Sequence, residues 1–215
     1  MRPFRCRFPF GAALLLALTA APPALALTLG QLVGGAPLST GSLTLEHFQA
    51  VATGSVDPNF DDYAVQGLPD GFRISGPVSA TVGQTGTLLL SYDVTTAGPG
   101  ITGASLYSSG IAVGSGSQAL VAESLSGPGN TTLGTLVVYD VAGVGTVPFA
   151  SASFGPVFEL SVAETMQVRS GAFAAVPFTD QRFVVVPEPI TFVLLGAGLM
   201  GLFVTGRRRH DLRKE

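Results

Sequence analysis

Tryptophan is absent from this chain of 215 residues, cysteine occurs once, histidine twice, and the only lysine stands at position 214. Each shortage closes off some chemistry. Cys6 lies in an N-terminal block with the marks of a removable leader, so the processed chain would hold no thiol. Without cysteine, and without lysine before the tail, Cys-His nucleophiles, Ser-Lys dyads and Schiff-base amines are excluded from the middle of the chain. His47 is the only histidine outside the tail, which rules out a multi-histidine zinc site. A domain with no disulfide relies on its core, and a chain of this length can bury one.

Positive charge is also scarce where it would matter. Between Leu27 and Pro189 only Arg73, Arg169 and Arg182 stand against twelve carboxylates, a net charge of −9. Nucleic-acid binding needs a basic surface that releases counterions, so this acidic middle excludes it. The remaining basic residues all sit at the two ends.

Those ends carry much of the apolar weight. Arg2, Arg5 and Arg7 open the chain, an apolar run follows from Gly11 to Ala21, and Ala24-Leu25-Ala26 supplies small residues where a signal peptidase needs them. Pro22 and Pro23 break helical geometry just before that site. A signal peptide over residues 1–26, cleaved after Ala26, is expected, with export through the general secretion machinery. At the other end, residues 190–206 contain no charge and, at 1.5 Å per residue, span roughly 25 Å as a helix, the short end of what crosses a membrane. Arg207, Arg208 and Arg209 follow at once, with Arg213 and Lys214 behind them. Cationic flanks resist translocation, so the tail is expected in the cytoplasm and the acidic middle on the far side of an inner membrane. Gly196, Gly198 and Gly201 have the spacing of a dinucleotide-binding loop but lack the strand, helix and downstream acid that such a loop needs. Ala197 and Gly201 form a small-xxx-small pair, suited to close helix approach.

The order Pro187-Glu188-Pro189, apolar span, arginine triplet resembles the PEP-CTERM sorting signal of Gram-negative bacteria. The resemblance covers roughly the last thirty residues. It implies that the tripeptide is the recognition element for an exosortase, a membrane-embedded transpeptidase-like enzyme, and that the helix is a temporary anchor. It further implies passage to the cell surface or surrounding polysaccharide. Two prolines hold such a site extended and deny it helical hydrogen bonds, which keeps it accessible.

The middle, residues 27–185, predicts a mainly β, single antiparallel sandwich-like domain, with the sorting signal over 186–215. Thr87–Val94, Ile101–Val113, Leu133–Val141 and Val157–Val168 are rich in strand-forming residues. Pro69-Asp70-Gly71, the Ala97–Gly100 segment and the Ser126–Asn130 segment suit turns. Ser42–Thr53 reads as a strand in which Leu43, Leu45 and His47 share one face, making His47 half-buried.

Few residues here suggest chemistry. A serine hydrolase would need His47 as its base, and no Gly-x-Ser-x-Gly elbow exists. A pair of carboxylates would suffice for glycoside hydrolysis, but tryptophan's absence weighs against a sugar cleft. Asp57, Asn59, Asp61 and Asp62 place oxygen donors at near-alternate positions like a calcium loop. Asp62 stands where that loop needs glycine and Leu68 where it needs glutamate, so a solvated turn is the favoured reading. Asn130-Thr131-Thr132 fits a glycosylation acceptor on a loop. The expectation is a non-enzymatic surface or matrix protein without cofactors, processed by an exosortase. Its expected partners are the inner membrane, signal peptidase and extracellular polysaccharide. A carbohydrate-binding or adhesive module is the alternative, and a carboxylate-based hydrolase the third.

Overall fold

The structure, a computed structural model, describes residues 27–186. The expected signal peptide with Ala24 and Ala26, the tripeptide Pro187-Glu188-Pro189, the apolar span and the arginine triplet all lie outside the described residues. Among the described residues no helix is long and apolar enough to cross a membrane.

In chain order the strands are β1 (Leu27–Thr28), β2 (Leu38–Thr40), β3 (Leu43–Gly54), β4 (Ala64–Leu68), β5 (Gly71–Thr81), β6 (Thr85–Thr96), β7 (Gly100–Ser108), β8 (Ile111–Val113), β9 (Gln118–Gly127), β10 (Thr131–Val141), β11 (Gly145–Val147), β12 (Phe149–Val157), β13 (Glu159–Arg169) and β14 (Phe173–Val186). One short helix, α1 (Leu29–Val33), follows β1; Thr28 caps it in a capping box with Gln31, and Leu29 and Leu32 plug the core.

Two antiparallel sheets face each other. The first runs β1-β4-β5-β14-β7-β12, with β8 also pairing β14, and the second runs β11-β10-β9-β13-β6-β3-β2. The expected antiparallel sandwich is therefore what forms. Period-two alternation explains the burial. In β6, Leu88, Leu90, Tyr92 and Val94 face inward while Thr87, Leu89, Ser91 and Asp93 face out. Phe48, Phe72 and Tyr92 pack as an aromatic knot with ring centroids 5.1 to 6.0 Å apart. On the outer face of the first sheet, Arg73 forks onto Asp180 at 2.6 and 2.8 Å and lies 4.3 Å from the Phe178 ring centroid.

Three sequence expectations need correction. The run Ile101–Val113 is two strands, because β7 pairs β14 over Thr179–Val186 while β8 pairs it over Phe173–Ala175. The break at Ser109-Gly110 falls where β14 carries one more residue than its partners, four steps from Ala175 to Thr179 against three from Ile111 to Ser108. Val157 closes β12 rather than opening β13. His47 is not half-buried: its side chain is 70% exposed. A bulge between Glu46 and Gln49 inserts one residue into β3, and Phe48 takes the inward place that strict alternation gives to His47.

The last two strands complete the molecule. β13 lies between β6 and β9 at the centre of one sheet, and β14 between β5 and β7 at the centre of the other. The second sheet is continuous only once β13 is in place, and the first only once the chain has run through β14 to Val186; Pro187, which has no N–H to extend a ladder, comes next in sequence.

Candidate functional site

Three places collect polar groups: a groove on the outer face of the second sheet, the turn before β4, and a cluster inside the sandwich.

The groove has a volume of about 250 Å³ and a floor of short polar side chains. Strand register builds it. Gln49, Ser91, Ala163 and Ser124 form one row across β3, β6, β13 and β9; Asp93, Ser161 and Ser126 form the next. Neighbouring strands are about 4.8 Å apart, so the longer row runs roughly 15 Å across the sheet. His47 and Asn130 also line this groove, and they are the only non-glycine residues with positive φ among the described residues, at 58° and 59°. Left-handed backbone at such residues is uncommon, and it concentrates at sites where function holds it.

Asp93 sits at the centre of the groove's hydrogen bonding. Its Oδ2 lies 3.0 Å from His47 Nδ1, and its Oδ1 accepts from Ser161 Oγ at 2.7 Å. Histidine, carboxylate and serine are thus together but in the wrong order for a nucleophile. Activation requires the imidazole between hydroxyl and carboxylate. Here the carboxylate stands in the middle, and the hydroxyl donates to it instead of to a base.

At the turn before β4, the proposed calcium ligands are occupied with one another and with the fold. Asp57 Oδ1 accepts from the Asn59 N–H at 2.8 Å, Asn59 Nδ2 donates to Asp62 Oδ2 at 3.0 Å, and Asp61 Oδ1 accepts from Thr28 Oγ1 at 3.0 Å. Burial, with the nearby Asp57 and Asp62 carboxylates, pushes the Tyr63 phenol up to about 12; it stays protonated and donates to the Asp57 carbonyl at 2.7 Å. These are the self-satisfying bonds of an Asx-type turn. Among the described residues no three His, Cys, Asp or Glu side chains converge as metal ligands.

The interior cluster was not visible as a site in the sequence. Glu123 and Glu164 are direct cross-strand neighbours on β9 and β13, each 1% exposed, and they face Gln181 and Thr179 of β14. Burial, with repulsion from Glu164, raises the Glu123 carboxyl well above the ordinary range; burial raises that of Glu164 from 4.5 to about 7. Closed off in this way, the pair is out of reach of a polysaccharide substrate. Asn130, the glycosylation candidate, stands at the exposed turn between β9 and β10.

The family model for the PEP-CTERM protein-sorting motif matches residues 185–209, overlapping the last two residues of β14. No curated protein matches the chain. Among solved structures, similarity extends to TmCBM61 in complex with β-1,4-galactotriose at TM-score 0.36 and 11% identity, covering 66% of this chain and 89% of that one. Carbohydrate-binding modules from the β-sandwich superfamily follow at TM-score 0.28 and 12% identity, covering 69% and 58%. The enzymatically active domain of bacteriophage CBA120 tailspike protein 4 has TM-score 0.28 and 12% identity, covering 67% of this chain and 19% of that one. Likenesses this distant carry no argument about what the chain binds.

Proposed function

We propose, from the premise that this chain carries a PEP-CTERM protein-sorting motif at residues 185–209, that it is an exported surface or matrix protein. On this reading it is held briefly at the inner membrane by residues 190–206 and released by an exosortase acting at Pro187, Glu188 and Pro189. The observation that carries the reading is the placement of the match. It begins at the end of β14, a central strand, so cleavage beside the tripeptide removes nothing from either sheet. The processed domain keeps its whole core and needs no anchor to stay folded. Mass spectrometry of the protein recovered from its native host tests this. A new C-terminus within or beside residues 187–189 is expected, and a population that retains the intact C-terminus in the membrane fraction would refute processing.

A second reading, recognition of a carbohydrate on the same sorting route, is favoured by one observation: the only two strained non-glycine residues described both line the groove. A floor of hydroxyl, amide and carboxylate groups suits a hydroxyl-rich chain lying across the strands. The groove contributes hydrogen bonds but no aromatic platform, so binding would be weak for each sugar and would rely on length. Retention on immobilised host exopolysaccharide, lost on Asp93→Ala with an unchanged melting temperature, is the expected result. Equal retention of both proteins would remove the groove from consideration.

A further inference from the structure

Among the described residues the interior cluster has no positive partner. Arg73 is committed to Asp180 on the outer face, Arg182 lies beside Asp70, and Arg169 is exposed at the end of β13. Like charges directly across a sheet repel, and within a core nothing screens them.

Neutral oxygens surround the two carboxyls. Thr179 and Gln181 alternate along β14, so both enter from the facing sheet, and Tyr92, whose phenol is raised by burial and by both carboxyls, reaches in from β6. Gln181 is fully buried, Thr179 is 1% exposed and Tyr92 2%. The amide lies near enough to both glutamates to draw their titration down, yet none of the polar side-chain atoms of Glu123, Glu164, Gln181, Thr179 or Tyr92 meets hydrogen-bond geometry with any other group.

We propose that Glu123, Glu164, Gln181 and Thr179, with Tyr92 beside them, form an internal calcium site that ties the two sheets together. The donors are all oxygens, which selects a hard cation, and the two carboxylates match a divalent charge. Calcium accepts six to eight oxygens, including bidentate carboxylates and an amide carbonyl, in flexible geometry. Magnesium demands octahedral order and keeps several waters, for which a site closed on both sides by packed sheets is poorly suited. Zinc and copper favour imidazole or thiolate, and His47 lies on the outer face. The site is separate from the turn at Asp57 and from the groove. Its consequence is a domain that becomes more rigid where calcium is plentiful.

The test uses the full chain in detergent at pH 8, stripped with EDTA and then titrated with calcium. One tightly held ion per chain is expected by elemental analysis, with a melting temperature raised roughly 5–10 °C at a hundredfold excess over Kd. Magnesium should give no comparable rise. The double variant Glu123→Gln/Glu164→Gln should fold, bind no calcium and melt at one temperature in calcium or EDTA. Should that variant fail to fold, terbium serves as the probe: tyrosine-sensitised luminescence, displaced by calcium and lost in Tyr92→Phe, supports the site. Failure of the wild-type chain to bind calcium, retention of calcium by the double variant, or terbium luminescence unchanged in Tyr92→Phe overturns it.

Discussion

Raising the pH without calcium should destabilise this protein, which is the reverse of ordinary acid denaturation. Glu164 is raised from 4.5 to about 7 because burial penalises its charged form more than Gln181 and Thr179 relieve it. The unfolded chain releases this proton near 4.5 while the folded chain keeps it to about 7. Over that window the native state binds more protons, so the stability contribution is complete below 4.5 and declines as pH rises through 7. At ~1.4 kcal/mol for each pH unit of the window, about 3 kcal/mol is lost between pH 4.5 and 8. Glu123 is shifted in the same direction by burial and by Glu164, and adds to the loss. Stability totals only about 5–15 kcal/mol for a typical domain, so the effect is large. The assay is urea unfolding of the full chain in EDTA and detergent at pH 5 and pH 8, with the midpoint lower at pH 8 and the slope unchanged. Glu164→Gln, similar in size and uncharged, should flatten much of the difference. EDTA is essential, since a bound calcium ion favours the ionised carboxylates and removes the trend. A midpoint that is level or higher at pH 8 in EDTA refutes the reasoning.

The bulge offers a separate test. His47→Gly relieves a left-handed non-glycine residue and should be neutral or stabilising by up to about 1 kcal/mol in thermal unfolding, despite losing the contact with Asp93. If the groove is used, the same variant loses retention on exopolysaccharide, so strain and function separate in one protein. Gly71→Ala should prevent folding, read as loss of soluble, protease-resistant protein. A Cβ there presses into the Gln181 carbonyl and the Arg182 Cα on the adjacent strand, neither of which is a flexible side chain.

Strand-forming residues and turns in the sequence were enough to indicate the sandwich. Thr87–Val94 and Leu133–Val141 fall within β6 and β10, and Pro69-Asp70 joins β4 to β5 as a turn should. Periodicity cannot report an inserted residue, however, which is why strict alternation places His47 on the wrong face: a one-residue bulge reverses every later assignment along the strand. The interior glutamates had left a trace. Glu123 alternates with Ala119, Val121 and Leu125, and Glu164 with Leu160, Val162, Met166 and Val168, so each acid stands on the apolar face of its strand. A charged residue at a core position is the signal that was there to be found.

Local chemistry along the chain determined the class of fold and the sorting match at 185–209, because alternation, turn residues and contiguous motifs are properties of neighbouring residues. Tertiary structure alone decided the sites. Asp93 meets Ser161 across 68 positions, and Glu123, Glu164 and Gln181 converge from strands in two different sheets. Which strands neighbour each other depends on burying apolar faces throughout the molecule, and no local pattern encodes that choice.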